Sequence, residues 1–434
     1  MRNFATKITE FGLKPLAAGI VLVPALGAFN AMAAWEYDPS VVIAARHTDN
    51  VFLTSQEEEG ALVTTAGAAL SASSIAERTQ FVGTVGASFS NFSETTENVE
   101  DIDRQNLSVD FRHRGERVSY GVVVSADRDS QLRQFAFVND VNAPNSGGQE
   151  LPGGLLPELE VPENSDTDLA SAQVQRTRIN AIATARTQLT PRTALNASYR
   201  YSRSDFETQR DDAGNIIDIG FQDGETHAAG LRLSRRINEL NTVSVFTEAS
   251  IFQTDGRSDD FYRGSVQWAT RPTERSRVQT SIGVTHLDPE FGGSDTGFFA
   301  QLLGSLTTRE GNIRGSLRRA LQPNAFGQVL ETDTVSLSYQ RKLSERIDLA
   351  LTANYTNWES ESTSAGLVVF ESEFERFDVG PSLLWSFHPN FSARLHYEYR
   401  WLEEERGAFS GSGSANAFGI AIRYSPNRNR ENLN

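Results

Sequence analysis

The side chains of this chain that could do chemistry are its histidines, serines, acids and arginines, and their spacing excludes most reactions. The six histidines, His47, His113, His227, His286, His388 and His396, show no paired metal-ligand spacing. Cysteine is absent, which excludes thiolate nucleophiles and zinc–thiolate sites. No nucleophile-elbow, phosphate-loop or dinucleotide fingerprint occurs. His286, close after Ser281, is the one pair that lipid hydrolysis at a membrane rim could use. QRDDAGNIID (209–218) has the acids of a calcium loop without their alternation or its closing glutamate, and reads as a turn. The expectation is a protein that is not an enzyme and uses neither metal nor cofactor.

What remains is arginine, placed at every second residue of long alternating stretches. FSARLHYEYRW (391–401) puts Phe391, Ala393, Leu395, Tyr397, Tyr399 and Trp401 on one face. Ser392, Arg394, His396, Glu398 and Arg400 fall on the other. TVSLSYQ (334–340), IDLALTANYTNW (347–358) and ALNASYRYS (194–202) alternate in the same way. A period of two means strands with one apolar and one polar face. The polar parity collects Arg112, Arg114, Arg176, Arg178, Arg186, Arg200, Arg232, Arg263, Arg314, Arg318, Arg394, His396, Glu398 and Arg400. With the exception of the turn-adjacent Arg114, these are the residues expected to line a pore, their charge either meeting an anionic solute or pairing with lumen acids such as Asp110, Asp348 and Glu398. The apolar parity carries Tyr199, Tyr201, Trp268, Trp385, Tyr397, Tyr399 and Trp401 near strand ends, the pattern of an interfacial aromatic girdle. A wide barrel has no core to take such rings, so the expectation is that these seven face lipid.

The elements that must hold these faces follow from the punctuation. Tight polar turns recur at 77–79, 114–117, 190–193, 238–241, 271–276, 308–312, 342–346 and 387–390. Between them lie acidic, Gly/Ser/Asn-rich connections, among them SQEEEGA, SETTENVEDID, NWESESTSAG and EEERGAFSGSGS. Acids such as Glu57 to Glu59, Asp211, Asp212, Asp259, Asp260 and Glu403 to Glu405 are expected in these outside loops. Short turns alternating with longer loops are the rhythm of an outer-membrane barrel. Counting gives about 18 strands (16–18) in one closed antiparallel all-β transmembrane barrel, with both termini periplasmic. No blade or coil repeat supports a propeller or solenoid. The connection 134–174, with four prolines and LPGGLLPELEVP at its centre, is expected to constrict the mouth.

The ends and the charge agree with an exported membrane protein. Residues 1–33 read as a signal peptide: Arg2, Lys7 and Lys14, then an apolar run, then Ala31-Met32-Ala33. The barrel is expected over 34–424 and a short tail over 425–434. The formal charge of −16 falls to about −18 once the signal is removed, which argues against a nucleic-acid partner. Gly419, Ile422 and Tyr424 form a partial terminal-strand assembly signal.

The opening VVIAARHTDNVFLT (41–54), with Thr48-Asp49-Asn50, followed by ALVTTAGAALS (61–71), resembles the start of the β-barrel porin 2 family. That resemblance implies an eighteen-stranded outer-membrane conduit for exopolysaccharide, without catalytic residues, working with a periplasmic polysaccharide-export protein. The expected function is therefore a pore passing an anionic exopolysaccharide or small solute through an arginine-lined lumen. The alternatives are a general diffusion porin and a closed structural or adhesive barrel. Its surroundings would be outer-membrane lipid and lipopolysaccharide.

Overall fold

The computed structural model describes residues 35–50, 53, 60–93, 102–131, 174–206, 209–210, 216–217, 223–254, 257–290, 294–323, 329–359, 372–406 and 409–426. The regular elements among them are all strands. In chain order they are β1 (Glu36–Thr48), β2 (Ala61–Ile75), β3 (Thr79–Ser93), β4 (Ile102–Arg114), β5 (Val118–Gln131), β6 (Val174–Thr190) and β7 (Thr193–Phe206). A two-residue pair follows, β8 (Gln209–Arg210) and β9 (Ile216–Ile217). Then come β10 (Gly224–Arg236), β11 (Asn241–Thr254), β12 (Arg257–Thr273), β13 (Ser276–Pro289), β14 (Asp295–Thr307) and β15 (Gly311–Pro323). The last are β16 (Val329–Ser344), β17 (Ile347–Glu359), β18 (Ser372–His388), β19 (Phe391–Arg406) and β20 (Phe409–Tyr424).

Apart from the β8–β9 pair, these strands form one 18-stranded sheet in which each pairs antiparallel with its neighbours in sequence. The sheet closes because β1 pairs with both β2 and β20. Closure satisfies every strand edge, the condition for a sheet to cross hydrocarbon. At one end the connections are uniformly tight, spanning 76–78, 115–117, 191–192, 237–240, 274–275, 308–310, 345–346 and 389–390. All eight coincide with turns expected from sequence. This end is periplasmic by the length rule for such barrels, and the opposite end is outside.

The outside connections are less uniform than the sequence suggests. Those at 255–256 and 407–408 are only two residues long, because β11–β12 and β19–β20 continue as paired hairpins. Asp259, Asp260 and Glu403 to Glu405 therefore lie in strands, not loops. A crossing needs about 10 residues, whereas β12 and β18 each have 17, so their outer ends extend beyond the hydrocarbon. Backbone pairing continues into water after the apolar alternation stops; composition marks the membrane boundary and not the strand end. Residues 1–34, the segment 132–173, Asp211, Asp212, Glu57 to Glu59 and residues 427–434 lie outside the described residues.

The last strand has an unusual inner face: Gly411, Gly413, Ala415, Ala417, Gly419 and Ala421 succeed one another on one parity. His396 of β19 lies across it, so close that a Cβ at 419 would fall within the imidazole ring. Small residues here open a trough that longer side chains of β19 and β1 occupy from either side.

Candidate functional site

The two faces of the closed sheet are told apart by exposure and by reach. On β1 and β20, Ile43 is 65% exposed and Phe418 60%, whereas Val42 and Ala421 of the opposite parity are each 4% exposed. Polar-parity side chains also meet across intervening strands. Arg46 of β1 reaches over β20 to Glu398 of β19 at 3.1 Å. Only a concave face brings such side chains together, so the polar parity faces inward. The register then places all thirteen of the expected pore-lining residues on the inner wall. Tyr199, Tyr201, Trp268, Trp385, Tyr397, Tyr399 and Trp401 fall on the outer face by the same register. Trp385 stands near the periplasmic turn, while Trp401, ten residues beyond Phe391, aligns with Phe377 and, through it, Tyr355.

The inner wall is not one uniform set of arginines. Toward the outside they are paired and buried. Arg400 is 2% exposed and sits between Glu398 (2.6 Å) and Asp378 (3.3 Å). Arg376 pairs with Asp378 at 2.8 Å. Together with Arg46 these form a continuous charged network over β18, β19 and β1, bridging the closing seam. Arg176, 1% exposed, faces Asp129 at 3.6 Å, and Arg178 lies opposite Asp127. Arg257 pairs with the fully buried Asp259 at 2.8 Å. At mid-wall Arg263 approaches Glu248 (3.9 Å) and stacks on Phe299 (4.8 Å to the ring centre). Arg232 stacks on Phe246 at 5.1 Å. Arg200 lies opposite Ala228, and Arg318 opposite Gln301 and Thr334.

Near the periplasmic turns the neighbours are neutral. Arg186 faces Ser119 and Asn196, Arg314 faces Ser305 and Ser338, and Arg394 faces Leu384 and Ala421. Among the described residues these three make no ion pair. Arg112 differs, being held by Asp110 through two hydrogen bonds of 3.0 and 2.6 Å.

Arg46, Arg104, Arg236, Arg257, Arg277, Arg376 and Arg423 also occupy the inner wall and escape the sequence reading. For Arg257 and Arg376 the signal is an acid two residues away, which in a strand shares a face with the arginine; the others carry no such mark in the sequence. Asp110/Arg112, Arg257/Asp259, Arg376/Asp378 and Glu398/Arg400 all follow it inside, and Arg203/Asp205 outside. Rings outside the expected girdle behave differently: among the described residues Phe92, Phe206, Phe246, Phe252, Phe261, Phe299, Trp358 and Phe374 point inward. Phe252, Phe261 and Leu287 form one apolar cluster, and Leu53, Trp358, Phe374, Leu402 and Ala415 another. Both lie toward the outside end, where side chains have neighbours to pack against.

Leu53 enters its cluster in a left-handed backbone conformation, φ 54°, that a branched residue adopts at a cost. Asp49 and Asn50, a few residues earlier, are anchored to β20. Asp49 accepts hydrogen bonds from the Asn416 backbone (2.7 Å) and side-chain amide (2.8 Å), and its own N–H donates to the Asn416 carbonyl. Buried Asn50 donates to the Ser414 carbonyl at 3.0 Å. The Thr48-Asp49-Asn50 stretch thus clasps the start of the first outside connection onto β20.

The hydrolytic pair suggested by sequence does not assemble. His286 is on the outer face and hydrogen-bonds Thr296, whereas Ser281 is buried on the inner face. Among the described residues no group of acids and histidines is arranged to hold a metal ion.

A closed eighteen-stranded sheet with an apolar outside, a charged inside and tight turns at one end defines an outer-membrane β-barrel of Gram-negative bacteria. No family model matches the chain, and no curated protein matches it. Among solved structures, it is similar to the outer membrane protein OpdK from Pseudomonas aeruginosa, with 10% identity, a TM-score of 0.44, and coverage of 90% of this chain and 99% of that one. Acinetobacter baumannii OccAB4 aligns at 8% identity and a TM-score of 0.44, covering 91% and 99%. The siderophore receptor PirA from Acinetobacter baumannii aligns at 8% identity and a TM-score of 0.44, covering 90% and 80%.

Proposed function

We propose that this barrel is an outer-membrane pore that favours anionic solutes, with an exopolysaccharide as the intended passenger. The observation carrying this reading is the inner wall, where arginines outnumber acids although the whole chain carries a formal charge of −16. A barrel of 16–18 strands is wide enough to leave an aqueous channel, and wall charge then selects among solutes. The resemblance of residues 41–71 to the β-barrel porin 2 family supplies the polysaccharide and the expected periplasmic export partner. Outer-membrane lipid and lipopolysaccharide would surround the aromatic rows.

The test is reversal potential in planar bilayers under a potassium chloride gradient. An open, anion-selective current is expected; cation selectivity would defeat the reading. Loss of surface polysaccharide on deleting the gene separates export from general diffusion. A closed structural or adhesive barrel is the second reading, favoured by the clasp at Asp49 and Asn50 and the apolar cluster around Leu53 at the outside mouth. Silence in the bilayer, even after deleting residues 140–165, would establish it. If that deletion leaves the current of an open pore unchanged, the segment does not constrict the mouth.

A further inference from the structure

The periplasmic third of the inner wall has an order that the arginine count alone does not reveal. Following the register from strand to strand gives one continuous row: Arg114 of β4, Ser119 of β5, Arg186 of β6, Asn196 of β7 and Arg232 of β10. A cation stands on every second strand, and a small hydroxyl or amide separates each from the next. Adjacent strands lie about 4.8 Å apart, so successive guanidinium groups are anchored roughly 10 Å from one another along the wall. Among the described residues, the inward positions of β6, β7 and β10 include no acid. Strand tilt makes the row climb around the lumen as it passes from strand to strand.

From this row we infer that the periplasmic mouth is the loading end, and that Arg114, Arg186 and Arg232 form a track for an oligosaccharide carrying repeated carboxylate or phosphate groups. The inference rests on the pore reading above and adds to it a location and a direction. A guanidinium fork fits either oxyanion in a bidentate manner. Ser119 and Asn196 supply the hydrogen-bonding groups that sugar hydroxyls need between charges. Arg232 is oriented by stacking on Phe246, whose ring leans over Gly230; a Cβ there would meet the ring at 3.0 Å. The outside half offers no equivalent, because Arg46, Arg176 and Arg400 are committed to acids. A polyanion is therefore held at the periplasmic mouth and not at the outer one.

The test uses the full-length barrel inserted in one orientation in a planar bilayer, with trigalacturonate as probe and neutral maltotriose as control. Because the chain has no cysteine, Arg346→Cys in a periplasmic turn reports orientation through an impermeant thiol reagent. Trigalacturonate is expected to block the current at a roughly tenfold lower concentration from the periplasmic side, corresponding to about 1.4 kcal/mol. Maltotriose should not block. The combined Arg114→Gln, Arg186→Gln, Arg232→Gln variant should lose that sidedness, while Arg319→Gln on the outer face keeps it. If the triple variant does not fold, Arg186→Gln alone should raise the periplasmic half-blocking concentration several-fold. Equal block from both sides, or block unchanged in the variants, overturns the track and leaves the pore reading standing. A barrel that passes no current defeats the pore reading and the track with it.

Discussion

The outer and periplasmic halves of the inner wall use the same residue for opposite purposes. In the outer half, arginine is a structural tie. Arg400, Arg376 and Arg46 share Glu398 and Asp378, and Arg176 and Arg257 have their own aspartates. In the periplasmic half Arg186, Arg314 and Arg394 stand among serines, an asparagine and aliphatic neighbours. A buried charge without its partner is costly, so the deep arginines must be paired, whereas wetter ones at a mouth can leave their charge available to solutes. Identity and face are the same in the two halves; the nearest acid decides the role.

This contrast can be broken by removing that acid. Glu398→Ala strips both Arg46 and Arg400 of a carboxylate and should cost about 3–5 kcal/mol. Urea unfolding followed by tryptophan fluorescence in lipid vesicles measures it, and ion selectivity should scarcely move. Gly419→Val fills the trough beneath His396 and is expected to cost about 1–3 kcal/mol, seen as a loss of the compact band on unheated gels. Asp49→Ala, which removes two hydrogen bonds to Asn416, should cost about 1–2 kcal/mol in the same unfolding assay. Arg394→Gln sits at the other end of the scale, below roughly 0.5 kcal/mol in stability, yet it should shift the reversal potential toward cations. If Arg394→Gln proves as destabilising as Glu398→Ala, the two halves of the wall do not differ in the way described.

The strands and their faces were legible because the membrane imposes a strict rule, apolar outside and polar inside at a period of two. Phe391 through Trp401 obey it without exception, and all eight periplasmic turns could be placed from residue types alone. The count of eighteen followed from those turns. What the alternation cannot report is where pairing stops, since hydrogen bonding continues past the lipid; Asp259 and Glu403 to Glu405 consequently look like loop residues and are not. Nor does alternation say which inward residue meets which. Arg46 and Glu398 are separated by most of the chain and become neighbours only because β1 and β19 flank the bare inner face of β20. The same-face acid and arginine pairs were visible as a spacing, but their significance depends on a strand being confirmed around them. Inward rings such as Trp358 and Phe374 defied the rule because the outside mouth, unlike the mid-wall, has side chains to pack them against.

The two-residue spacing of Arg376 with Asp378 and of Glu398 with Arg400 has a consequence for how such a wall is built. Each of these strands carries its own counter-ion on its own inner face, so neither has to wait for a distant segment before its charge is neutralised. A hairpin of β18 and β19 can thus present a nearly balanced surface while the chain is still incomplete. Arg46 is the exception, since its carboxylate belongs to a strand that arrives only when the circle closes. The last tie to form is then also the one that reports that the cylinder is whole.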